Sequence, residues 1–215
     1  MRIAVVGNGP SAQNMADKID ACDFVVRVGW FMHMGAKNTG LKLNAWVWFG
    51  NRPIWGNPGE RAPGTCDIWS PFPKEYLSKS PYYFCAKNLD RIQDRKVAWV
   101  DPDQWAALKT FLRGCEPTSG MTAVMMAADK RPDEIHLFGF DATTSDRPGW
   151  GDDCQGQPGV ARWPEDQPHD HLAEKRMLKR FAERGEWRGL ASKIKLVWHN
   201  MPAVPEEVAS ALPVS

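Results

Sequence analysis

His169 and Glu174 are the side chains best suited to proton transfer, and they stand five residues apart behind a stretch, 142–168, rich in Gly, Pro and Asp. An imidazole titrates near neutrality and suits a general base that takes a proton from a hydroxyl. Glu174 reads as a group that orients or caps rather than reacts. His171 is the competing base. In a helix beginning at 169, two steps turn it about 200° away from His169. Thr118, Ser119 and Gly120 suit an anion, because unpaired N–H groups and the helix dipole gather where a helix begins. Gly7-Asn8-Gly9-Pro10-Ser11 repeats the design after an apolar strand. His169-Asp170-His171 and Asp101-Pro102-Asp103 carry metal-type donors, but no third ligand has metal spacing, so no metal is expected.

The elements that must position these residues alternate. Strands are expected at 2–6, 23–28, 43–49, 82–86, 97–100, 134–140 and 193–199. Helices are expected near 10–18, at 103–112, from 119 to 130 and from 169 to 184, the last with Leu172, Met177, Leu178 and Phe181 on one face. Residues 50–75 read as a long Gly/Pro loop. The 142–168 segment reads as a lid or irregular loop. Strands alternating with helices predict one Rossmann-like, doubly wound domain over 1–215. Its sheet is mostly parallel, with helices on both faces.

Composition narrows the function classes. A chain of 215 residues can bury a sizeable core. A net charge of +1 gives no basic field for nucleic acid. Five irregularly spaced cysteines give neither a zinc pattern nor a disulfide framework. No run approaches the roughly 20 apolar residues of a membrane span. The chain opens on a strand pattern rather than a signal peptide, and free thiols fit a reducing compartment. A cytoplasmic protein is therefore expected. Eleven tryptophans are many for this length. Trp55, Trp69, Trp150 and Trp163 fall in irregular stretches, where they serve either to stack on sugars or to plug apolar gaps; peripheral membrane contact stays open. The sequence leaves the oligomeric state undetermined.

Three motifs in order carry a resemblance. Val5-Val6-Gly7-Asn8-Gly9-Pro10-Ser11 with Asp23-Phe24-Val25-Val26-Arg27 resembles the first large motif of sialyltransferases. Pro117-Thr118-Ser119-Gly120 through Gly139-Phe140-Asp141 resembles their second. His169 with Glu174 is similar to their last short motif, whose histidine is the catalytic base. The resemblance implies a CMP-activated sugar acid as donor, a glycan hydroxyl as acceptor, inversion at the anomeric carbon, and no cofactor or metal. It also implies that Gly7, Asn8, Gly9, Ser11, Arg27, Asn51, Thr118, Ser119, Gly120 and Asp141 surround the nucleotide. Gly29 stands where the family has a donor-touching asparagine. Ile3 and Arg131-Pro132 stand where animal members have a disulfide. The 142–168 loop has no tyrosine for the donor phosphate, and Arg147 and Arg162 are its candidate substitutes.

Other readings stay open from the residues alone. Asn8 and Ser119 read either as ligand contacts or as caps. Arg27 reads either as a ligand or as part of a buried ion pair. A non-catalytic nucleotide- or glycan-binding protein of the same fold fits the pattern as well. An NAD(P)-dependent oxidoreductase fits less well. It requires an acidic residue at the end of the second strand and a third glycine, where the chain has Gly29 and Ala12.

Overall fold

The computed structural model describes residues 1–29, 34–48, 66–75, 97–140 and 169–201. Asn51, Asp141, Arg147, Arg162, the 142–168 loop, Trp55, Trp150, Trp163 and the expected strand 82–86 lie outside them. Among the described residues, β1 (Arg2–Val6), β2 (Phe24–Val28), β3 (Ala45–Val47), β4 (Asp67–Ser70), β5 (Val97–Trp99), β6 (Glu134–Phe138) and β9 (Lys195–Trp198) form one sheet. A separate hairpin pairs β7 (Glu186–Trp187) with β8 (Leu190–Ala191), turning at Arg188 and Gly189, both with positive φ. The large sheet runs in the order β5-β4-β3-β2-β1-β6-β9, and every pairing is parallel. The fold is thus the expected α/β, Rossmann-like arrangement.

β1 lies in the middle because Ile3, Ala4, Val5 and Val6 are apolar on both faces, as a doubly covered parallel strand must be. Alternation sorts them. Ile3 and Val5 join the larger core, and Ala4 and Val6 the smaller one with Ala12, Ile19, Val25 and Phe138. The larger core takes α2 (Pro102–Phe111), α3 (Ser119–Asp129) and α4 (His171–Arg184). α3 is apolar nearly all round, with Met121 to Ala128 buried, which suits the innermost helix. Asp101, Thr118 and Asp170 cap the three helices by accepting from the N–H groups of Gln104, Met121 and Ala173. Gly185, at φ 65°, ends α4.

Three expectations change. The helix expected near 10–18 is a 3₁₀ turn, Pro10–Ala12, followed by α1 (Ala16–Asp20). Asn14, at φ 61°, and the extended Gln13 break it. The expected loop 50–75 contains β4, whose Trp69 is only 1% exposed and stacks on Phe24. Trp69 is therefore a core residue, not a sugar platform. Finally, α4 begins at His171 with Asp170 as its cap, so His169 stands outside the helix.

From β1 the strands step outward to β5, and the chain then returns to the other side of β1 with β6 and β9. The winding reverses between β1 and β6. The crevice outside the carboxyl ends of those two strands is where such sheets bind ligands.

Candidate functional site

Gly7 and Gly139 follow β1 and β6 at that reversal. Gly7 N–H donates to Phe138 O at 2.8 Å and Gly9 N–H to Gly139 O at 3.1 Å. A Cβ on Gly7 would meet Gly139 O at 2.5 Å, and Gly139 has φ +69°. The glycines let the two turns interlock, and the amides of Gly7 and Gly9 are spent on that contact rather than offered to a phosphate. The short 3₁₀ turn and α1 also put no long dipole behind the first turn. Two of the amides expected to form the first anion site are therefore already engaged within the fold.

Asn8 fills the neighbouring space. Its Nδ2 donates to Val28 O at 3.0 Å and lies 2.9 Å from where a Cβ on Gly29 would stand. Gly29 itself has φ +70°. The positive φ favours glycine at 29, and a Cβ there would push the Asn8 amide aside. Ser11 O accepts from Asn200 Nδ2 at 3.0 Å, which ties the first turn to the end of β9. Arg27 is 2% exposed and turned inward. It donates to Lys42 O at 3.0 Å, Thr39 Oγ1 at 3.0 Å and Thr39 O at 2.7 Å. Burial lowers its pKa to about 10, against the opposing pull of Asp20. It holds the 39–42 turn inside the fold, in place of the donor contact or ion pair expected of it.

The second expected anion site is built differently from the first. Glu174, 4% exposed, reaches from α4 to the start of α3. Its Oε1 accepts from Thr118 N–H at 2.6 Å and its Oε2 from the Thr118 hydroxyl at 2.8 Å. Burial raises its pKa to about 7, although both bonds from Thr118 pull the other way. Thr118 is thus a clamp between two helices. Ser119 and Gly120 continue the α3 N-terminus, half-buried, with Phe140 Cε1 3.2 Å from where a Cβ on Gly120 would stand.

His169 lies beside this clamp. Its Nδ1 is 2.7 Å from Glu116 O. A carbonyl only accepts, so Nδ1 carries the proton and Nε2 keeps the lone pair. The tautomer is the one a general base needs. The Glu116 carbonyl is a functional group the sequence reading missed, because backbone orientation has no residue-type signature. The expected opposition of His169 and His171 also gives way. With His169 outside the helix, the two ring centroids are 5.8 Å apart. Burial first, then the charges of His169 and Lys175, hold the His171 imidazole below its ordinary value, with Asp170 opposing.

Thr118, Ser119, Gly120, Glu174, His169 and His171 thus meet where α3 and α4 begin. Gly7, Asn8, Gly9 and Ser11 sit at the β1 end. Gly139 links the two groups through its turn. Among the described residues no helix is long and apolar enough to cross a membrane.

No family model matches the sequence, and no curated protein matches it. Solved structures do. A mammalian sialyltransferase superposes with a TM-score of 0.56 at 18% identity, over 91% of this chain and 68% of that one. A mammalian sialyltransferase in complex with Gal-beta-1-3GalNAc-ortho-nitrophenol gives a TM-score of 0.53 at 16% identity, over the same shares, 91% and 68%. At such identity the likeness speaks of architecture. The chain has a sialyltransferase-like glycosyltransferase fold.

Proposed function

We propose that this protein is an inverting glycosyltransferase that moves sialic acid or a related 3-deoxy sugar acid from a CMP-activated donor to a glycan hydroxyl, without a metal. The observation that carries the reading is the His169–Glu116 hydrogen bond. It sets a basic Nε2 beside the start of α3, at the same sheet edge as the β1–β6 crevice.

The roles follow from the chemistry. His169 Nε2 takes the acceptor hydroxyl proton as the oxygen attacks the anomeric carbon. Charge grows on the departing CMP phosphate, and the Ser119–Gly120 end of α3 is the donor group that meets it. Glu174 touches no substrate in this scheme. Through Thr118 it fixes the segment that carries Glu116 O, and so it is a positioning residue. Asn8 offers its amide oxygen to the nucleoside, while Nδ2 stays on Val28 O.

A transfer assay with a CMP-activated sugar acid tests the reading. His169→Ala should lose about 10²–10⁴ in rate, the usual contribution of a general base. Its CMP affinity should stay close to wild type, because the base acts mainly in the transition state. Transfer at the wild-type rate by the alanine variant would remove the mechanism.

A further inference from the structure

Lys175 is 5% exposed, on the second turn of α4, and no hydrogen bond or ion pair engages it among the described residues. A lysine whose side chain is this far buried carries a desolvation cost, which lowers its pKa and which a counter-charge would offset. Among the described residues, the acids of α4 and its cap are committed elsewhere. Asp170 caps α4 through Ala173 N–H at 2.8 Å. Glu174, one residue away and so about 100° around the helix, holds Thr118. Glu183 lies 4.0 Å from Lys179, a turn further on. The i,i+4 spacing puts Lys175 on the same side of α4 as His171, and its charge acts on that imidazole. His171 Nδ1 is also buried and lacks a hydrogen-bond partner. Two nitrogen groups without acceptors thus share one side of α4, and the His171 ring stands 5.8 Å from the His169 ring.

We infer that Lys175 and His171 form an oxyanion subsite beside the base, taking a phosphate or carboxylate of the donor. An oxyanion supplies what both groups lack: a charge opposite Lys175 and an acceptor for the His171 N–H. The inference rests on the CMP-sugar reading only for which oxyanion binds. A CMP-activated sugar acid carries both kinds, one on each side of the bond that breaks. Held there, the anion stands near His169 and opposite the positive end of α3.

Calorimetric titration of wild type and Lys175→Met with cytidine, CMP and a non-transferable CMP-sugar-acid analogue tests it. Cytidine should bind both proteins alike. If the phosphate is the oxyanion, CMP should weaken about ten- to hundredfold in the variant, as for a lost charged hydrogen bond. If it is the carboxylate, CMP should be unchanged, and the analogue should lose its advantage over CMP. Lys179→Met should match wild type throughout. Equal affinities of wild type and Lys175→Met for all three ligands would overturn the subsite. Should wild type bind none of them, the CMP reading falls, and inorganic phosphate then decides the subsite by itself. Followed by NMR in the unmutated protein, the His171 imidazole pKa should rise on adding phosphate or acetate; a pKa that neither anion moves overturns the subsite. That measurement needs no variant to fold.

Discussion

Glu174 is where the energetics of single residues are most exposed. Its carboxyl is buried against Thr118, and burial lifts its pKa from 4.5 to about 7. The folded state therefore holds a proton that the unfolded chain has released between those two values. The sign follows from linkage: stability falls as pH rises from about 4.5 to about 7, then levels off. The span corresponds to at most ~3.5 kcal/mol, since one pKa unit is worth about 1.4 kcal/mol. Urea unfolding of wild type should show this decline, and Glu174→Gln, which cannot ionise, should flatten it. A wild-type profile that is level from pH 5 to pH 7 contradicts the buried, raised carboxyl. Activity separates the positioning role from a catalytic one. Glu174→Gln keeps a hydrogen-bonding side chain toward Thr118 and should retain transfer where His169→Ala does not.

At the scale of elements, one hydroxyl both caps α3 and ties it to α4, beside the backbone bond from Thr118 N–H to Glu174. Thr118 Oγ1 accepts from Met121 N–H at 3.1 Å and donates to Glu174 at 2.8 Å. Thr118→Val keeps the volume and removes both bonds. It should destabilise by about 2–4 kcal/mol, combining a lost helix cap with a lost bond to a buried acid. A urea midpoint within error of wild type, at equal slope, would show that the two helices are not joined through this group. Sequence made much of this architecture legible, because its strands are dense in Val, Ile and Trp and its caps are Asp and Thr. β1, β2, β6 and the three long helices fall close to their expected places. The misses have local causes. β4 is four residues inside a Gly/Pro-rich stretch, too short to show a period. The first helix is broken at Asn14, whose positive φ no pattern announces. The site was legible as residue types but not as contacts. His169 and Glu174 were visible, whereas the Glu116 carbonyl, the inward turn of Arg27 and the use of the Gly7 and Gly9 amides depend on tertiary geometry.

For the whole molecule, the decisive property is that the sheet reverses its winding between β1 and β6 and gathers both glycine turns there. A nucleotide bound at that edge contacts groups from β1, β6, α3 and α4, which come together only in the folded chain. Binding then stabilises the fold by RT ln(1 + [L]/Kd), about 2.7 kcal/mol when the ligand stands at a hundred times Kd. In a domain of this size each kcal/mol moves Tm by roughly 2–4 °C. CMP near saturation should therefore raise Tm by about 5–10 °C in a thermal-shift measurement. Cytidine, without the phosphate, should raise it less. NAD should leave it unchanged, because β2 ends at Val28 and Gly29 follows, with no carboxylate to hold a ribose. The comparison separates the readings by chemistry. A shift with NAD and none with CMP would transfer the crevice to the oxidoreductase class. A shift with CMP that His169→Ala preserves, in a wild type that transfers no sugar, would identify a binding protein that keeps the fold without the reaction.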